Sequence, residues 1–241
     1  MSDEMRSSQD TATTPARSRP VRGRLVGAAA IAFVVAVVVE NAVLAATGAL
    51  SFDAPIEEVL AYYAANRDSV AIASGLVALY LPLLLVFVTG LHGLVERRGG
   101  AGADWSCLAV AAGAALSAIF VLVNVLQIGL ALSAGGLAGP TPEFELVWRV
   151  HAAAFALALP TLGTTSIGAA LATHASGLTP AWQRLLGLVG GSLLLAAGLG
   201  NLAIADGSPL LFVGLLGFAA WLVWLLATGV RLVRSPLKPG A

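Results

Sequence analysis

Six separated runs of apolar residues set the fold of this chain before any other feature does. They lie near residues 25–49, 69–94, 106–133, 146–172, 183–205 and 209–232. A helix rises about 1.5 Å per residue, so about 20 residues cross a hydrocarbon core of about 30 Å. Each run is long enough. Inside lipid every backbone N–H and C=O must find a partner within the protein, which forces runs of this kind into helices. No strand-like alternation of apolar and polar residues competes with this, so a membrane β-barrel is not expected. The expected fold is all-α: a six-helix transmembrane bundle with a short amphipathic outer helix between spans one and two.

Composition agrees. The chain is 58% hydrophobic and only 11% charged, where a soluble domain carries about 25% charge. So few charged side chains cannot cover a water-facing surface. The net charge is zero, which leaves no basic field for a nucleic acid. The partner implied is the lipid bilayer. A lone cysteine, Cys107, can neither form an internal disulfide nor supply a metal cluster, and is read as a small core residue.

Residues 1–23 are rich in Ser, Thr, Pro and Arg with almost no large apolar side chains. They bury too little to offset the entropy of ordering, and are expected to be a disordered cytoplasmic tail. Residues 24–234 form the six-span domain and 235–241 a second short cytoplasmic tail. The basic run before span one resembles the start of a secretory signal, but the apolar stretch after it is longer than a signal needs. An uncleaved first span is expected. Pro82 and Pro160 fall inside spans two and four, where each removes one ladder hydrogen bond.

Six crossings put both termini on one side. That side holds Arg6, Arg17, Arg19, Arg22, Arg24, Arg97, Arg98, Arg184, Arg231, Arg234 and Lys238, eleven of the 13 basic residues; Arg67 and Arg149 lie on the other. The excess of basic residues on one side predicts cytoplasmic termini in a bacterial plasma membrane. Trp105 and Trp182 then stand at the cytoplasmic starts of spans three and five, as interfacial anchors.

Between spans one and two, Asp53 is a candidate N-cap, followed by Pro55 and by Glu57 and Glu58. Ile56, Val59, Leu60 and Tyr63 repeat at helical spacing and build one apolar stripe. A short helix lying on the outer surface, or folded over the bundle mouth, is predicted here.

This segment, "DAP…YYAANR", with the "GLHGLVERR" that ends span two, resembles a six-span family of bacterial integral membrane proteins carrying a domain of unknown function and common in high-GC bacteria. The resemblance covers most of the membrane region and not the tail. It implies a six-span fold and brings no catalytic residue with it.

Polar residues inside the spans are few. Glu40 is sixteen residues past Arg24, and Asn124 and Asn201 are nineteen past Trp105 and Trp182. These steps place Glu40 about 24 Å, and the asparagines about 28 Å, above the cytoplasmic boundary. Gln127 is one turn higher than Asn124. Arg149 and His151 open span four from outside. A charged group in hydrocarbon costs about 3 kcal/mol even on lenient scales, so it normally turns inward. Span five offers Gly187, Gly191, Gly198 and Asn201 on one face, and span three Gly113, Ser117, Asn124 and Gln127. Small residues let neighbouring helices approach, so both faces should look into the bundle.

Two readings follow. In one, Glu40, Asn41, Asn124, Gln127, Arg149, His151 and Asn201 line an outward-facing polar pocket that takes a small-molecule ligand or an ion. Glu40 there pairs with Arg149 or His151, and the Tyr62–Tyr63 helix covers the opening. In the other, the same groups make hydrogen bonds between helices and lock the bundle. An intramembrane enzyme is a third reading, but the sequence has no HExxH, GxSxG or P-loop. The run "TLGTTS", Thr161 to Ser166, more naturally bonds helix carbonyls than hides a nucleophile. His92 and His151 sit a membrane thickness apart, so they cannot share a haem iron. No catalytic residue, metal site or cofactor is assigned, and the sequence sets no oligomeric state.

Overall fold

The computed structural model describes residues 19–48 and 50–234. The expected tails, residues 1–18 and 235–241, lie outside the described residues. Eight helices and no strand occur among those described. They are α1 (Arg19–Ala46), α2 (Ile56–Ala65), α3 (Arg67–Glu96), α4 (Ala103–Ala134), α5 (Pro142–Ala175), α6 (Ala181–Leu199), α7 (Asn201–Ala205) and α8 (Leu210–Arg234). Six of them, all but α2 and α7, are long and apolar enough to cross a membrane. The chain is an all-α, multi-pass membrane protein.

The six long helices form a closed ring, in which contacts run α1–α3–α4–α5–α6–α8 and back to α1. Helix α5 also touches α3 and α8 and is the most interior: 61% of its most apolar window is buried, against 28–39% for the other five. Its sequence allows this, because Ala152, Ala154, Ala156, Ala158, Gly163 and Gly168 are all buried and leave room for neighbours. One end of the bundle holds the start of α1 and the end of α8 and is called the terminal end here. The other carries α2.

Glycines set the closest helix approaches. A methyl added at Gly163 would stand 2.7 Å from the Gly191 carbonyl oxygen of α6, and one at Gly217 would stand 2.7 Å from that of Gly190. Helix α6 is thus pinned between α5 and α8. Pro160 of α5 packs against Gly198, where an added methyl would stand 2.6 Å from the ring. Both Pro82 and Pro160 lie inside unbroken helices. The terminal end is closed by backbone contacts from arginine: Arg231 Nε donates to the Leu178 carbonyl at 2.8 Å and Arg98 Nη1 to that of Gly177 at 3.2 Å.

Several local expectations are corrected. The first helix already begins at Arg19, so residues 19–23 continue span one. Span five is not continuous to residue 205. It stops at Leu199, and Gly200 separates it from the single turn-and-a-half of α7, because Gly200 leaves the helical region at φ −93° and ψ 27°. The cap of α2 is Pro55, not Asp53, with no side-chain cap bond. Asp53 is instead packed on Gly207 in the loop before α8. Cys107 is exposed on α4, not in the core. In lipid a small apolar side chain gains nothing by facing inward.

Candidate functional site: a cavity beneath Glu40

The centre of the ring is not completely filled. A partly enclosed cavity of about 150 Å³ lies among α1, α3, α4, α5 and α8. Its walls are aliphatic side chains and five aromatic rings, those of Phe33, Tyr80, Phe120, Phe155 and Phe218. Three residues of its lining carry polar groups: Glu40, Asn41 and Tyr80.

Helix direction brings Glu40 and Tyr80 together. Helices α1 and α3 are antiparallel neighbours. Glu40 is six residues before the end of α1, about 9 Å below that end, and Tyr80 is thirteen residues into α3, about 20 Å along it. Side chains lean toward the N-terminus of their helix. Glu40 therefore leans toward the terminal end and Tyr80 toward the α2 end, and the offset closes from both sides. The Tyr80 phenol stands beside the Glu40 carboxyl. The Tyr80 ring is held edge-on by Phe33, with centroids 5.4 Å apart. Asn41 spends its amide on its own helix, donating to the Val37 carbonyl at 2.9 Å.

The other expected pocket residues are elsewhere. Arg149 does not meet Glu40. Its guanidinium sits on Glu145, one turn away on α5, at 2.7 Å and 3.0 Å. Both partners are largely exposed, because residue 149 falls on the outward face of α5 just beyond its capped start at Thr141. His151 does not meet Glu40 either. It is buried, stacked on Trp148 with centroids 5.3 Å apart, and edge-on to Phe52 at 6.2 Å. Asn124 and Gln127 are half-buried on α4, and Asn201 begins α7. Of the seven residues, only Glu40 and Asn41 line the cavity.

Asn124 and His151 are nonetheless level with each other. Phe120 and Phe155 touch across antiparallel α4 and α5, centroids 6.3 Å apart, and one turn farther toward α2 on both helices come Asn124 and His151. Asn124 Oδ1, His151 Nδ1 and Trp148 Nε1 are all buried without a hydrogen-bond partner among the described residues. Phe52, from the α1–α2 loop, packs on Trp148, His151 and Phe155 and so joins this layer to the cavity wall.

Helix α2 does not cover the cavity. Its buried face, Val59, Leu60 and Tyr63, packs with Leu130, Ala131 and Ala134 at the end of α4, Phe144 and Trp148 at the start of α5, and Val70 of α3. The Tyr62 hydroxyl reaches back to Thr47 Oγ1 at 2.9 Å and ties α2 to the end of α1.

The cavity has a side opening. A methyl on Gly27 of α1 would stand 2.6 Å from the Gly229 carbonyl of α8, so these helices are pinched together near the terminal end. The same flank of α1 continues through Val34, Val38, Asn41 and Ala45 at heptad spacing. Val34 is 7% exposed, but Val38 is 52% exposed, and Asn41 and Ala45 are exposed as well. Opposite them Leu215 of α8 lines the cavity and is 44% exposed. The α1–α8 seam is closed below and parts toward α2, at the depth of Glu40.

The hydroxyls of the "TLGTTS" run are all engaged. Thr161, Thr164 and Thr165 bond carbonyls of their own helix, and Ser166 donates to the Gly187 carbonyl of α6 at 3.0 Å. His92 Nδ1 is 2.8 Å from Ser106 Oγ at the terminal end. Tyr80 and the phenylalanines of the cavity wall were not singled out in the sequence. Depth along antiparallel helices would have indicated Tyr80, as the phenol facing the buried carboxyl. No family model matches the chain, and no curated protein or solved structure matches it.

Proposed function

We infer that this protein binds a small, mostly apolar molecule bearing one polar group, held in the central cavity with that group against Glu40 and Tyr80. The observation that carries this reading is the cavity itself: about 150 Å³ of space walled by hydrocarbon, with a carboxyl and a phenol at one place in it. An apolar cavity of about 150 Å³ is large enough for one benzene-sized group. Ionisable groups inside membrane spans are costly and mark ligand or ion sites by default. The protein is read as residing in a bacterial plasma membrane with both termini in the cytoplasm, supported by the basic residues gathered at the terminal end. Its similarity to the six-span family of high-GC bacteria is part of the same proposal.

Benzyl alcohol is a suitable first probe: one ring, one hydroxyl. Saturation-transfer NMR on the full chain in lipid nanodiscs is expected to detect binding. Leu215→Trp fills the cavity mouth and should weaken binding by about tenfold or more, a loss of about 1.4 kcal/mol. Leu216→Trp, on a neighbouring residue that does not line the cavity, should leave binding unchanged. No binding, or equal binding by both variants, overturns the reading. Orientation is tested separately. Alkaline phosphatase fused after Gly136, in the α4–α5 loop, should be active outside the cytoplasm, and the same fusion after Gly177 should be inactive. The reverse pattern contradicts the assignment.

A further inference from the structure

The ligand class can be narrowed, on the assumption that the cavity is a ligand site. We propose that the cavity takes a lipophilic organic cation, an amine or quaternary ammonium on a compact apolar body, admitted from the bilayer between α1 and α8.

Three observations converge on this class. Glu40 enters the cavity as a carboxyl group, and no basic side chain pairs with it among the described residues, where the one ion pair is Arg149 with Glu145. The Tyr80 hydroxyl beside it is a donor but not a cation. A carboxylate in hydrocarbon is strongly stabilised by an opposite charge, and here the protein leaves that charge to be supplied.

The wall is the second observation. Phe33, Tyr80, Phe120, Phe155 and Phe218 surround the same space. Ring faces attract cations, and the attraction is strongest when the cation is shed of water. An ammonium carrying apolar substituents satisfies the carboxylate and the rings at once. A metal ion would not, because a hard cation takes six or more oxygen ligands and the polar residues of the lining are only Glu40, Asn41 and Tyr80.

The route is the third. The α1–α8 seam is shut at Gly27 and Gly229 and open at Val38, Asn41 and Leu215. That opening faces the hydrocarbon region on the flank of the bundle. A molecule arriving there must already partition into lipid, which selects an apolar body. Helix α2 is folded away over the ends of α4 and α5 and plays no part in admission.

The test compares benzylammonium with ethylbenzene, which has the same shape and no charge. Both are titrated into the full chain in nanodiscs, wild type and Glu40→Gln. The cation should bind about tenfold tighter than its neutral isostere. Glu40→Gln should abolish that preference while keeping the neutral molecule's binding, which also shows that the variant is folded. Equal binding of the two probes by the wild type overturns the cation assignment and leaves the cavity reading intact. A preference that survives Glu40→Gln overturns it as well, because the anion then lies elsewhere. Binding of neither probe overturns both the cation assignment and the reading it rests on.

Discussion

A membrane interior makes each polar side chain account for itself, and the residues here do so in different ways. Glu40 lines a cavity with a phenol beside it. Ser166 takes a carbonyl on the next helix. Arg149 escapes inward burial altogether and lies on the surface with Glu145. Counting along each span sets the level of these residues on their helices. It did not pair them, because pairing depends on which way each helix is turned. Arg149 stands near the level of Glu40, yet points outward. An exposed pair one turn apart contributes between nothing and about 1 kcal/mol. Arg149→Gln should therefore shift unfolding in detergent by less than about 0.5 kcal/mol. Loss of several kcal/mol on thermal unfolding would mean that Arg149 answers a buried charge after all.

At the scale of elements, small residues were the legible signal. The faces of Gly187, Gly191, Gly198 and Asn201 and of Gly113, Ser117, Asn124 and Gln127 were expected to look inward; the small residues do, since Gly191 meets Gly163, Gly198 meets Pro160, and Gly113 meets Val88 and Thr165, while Asn124 and Gln127 are only half-buried and Asn201 lies beyond the break at Gly200. The apolar stripe of α2 was legible too, with Val59, Leu60 and Tyr63 buried. Where it docks was not, since the stripe fits any apolar surface of the same width and only the tertiary fold offers the α4–α5 corner. The break at Gly200 was hidden because hydropathy stays high across it. Burial raises the ionisation of the Tyr63 phenol well above the ordinary value for tyrosine. A raised value means that the docking it supports is complete below the unfolded phenol's pKa, about 10, and weakens as pH climbs past it. Hydrogen exchange of α2 amides, corrected for intrinsic rate, should show lost protection above about pH 10, and Tyr63→Phe should remove that loss. Protection that stays flat in the wild type would contradict the burial of this phenol.

The whole molecule is a ring of six helices around a central cavity, with an α1–α8 seam closed near the termini and parted toward α2. Gly27 and Gly229 draw α1 and α8 together near the termini, while near α2 the larger Leu44, Leu211 and Leu215 line the cavity between them. The opening and the carboxyl stand at the same depth, which is why the cavity is reached from lipid and not from beneath α2. Everything in this account depends on Glu40 being turned inward on a helix whose opposite face meets hydrocarbon. Site-directed spin labelling along residues 35–46, in a Cys107→Ser background and in proteoliposomes, measures that directly through collision with oxygen, which concentrates in lipid. Accessibility should be high at residues 35, 38, 39, 42 and 46, minimal at 36 and 37, and lower at 40 than at 39 and 41. A maximum at residue 40 would place the carboxyl against acyl chains and contradict the account.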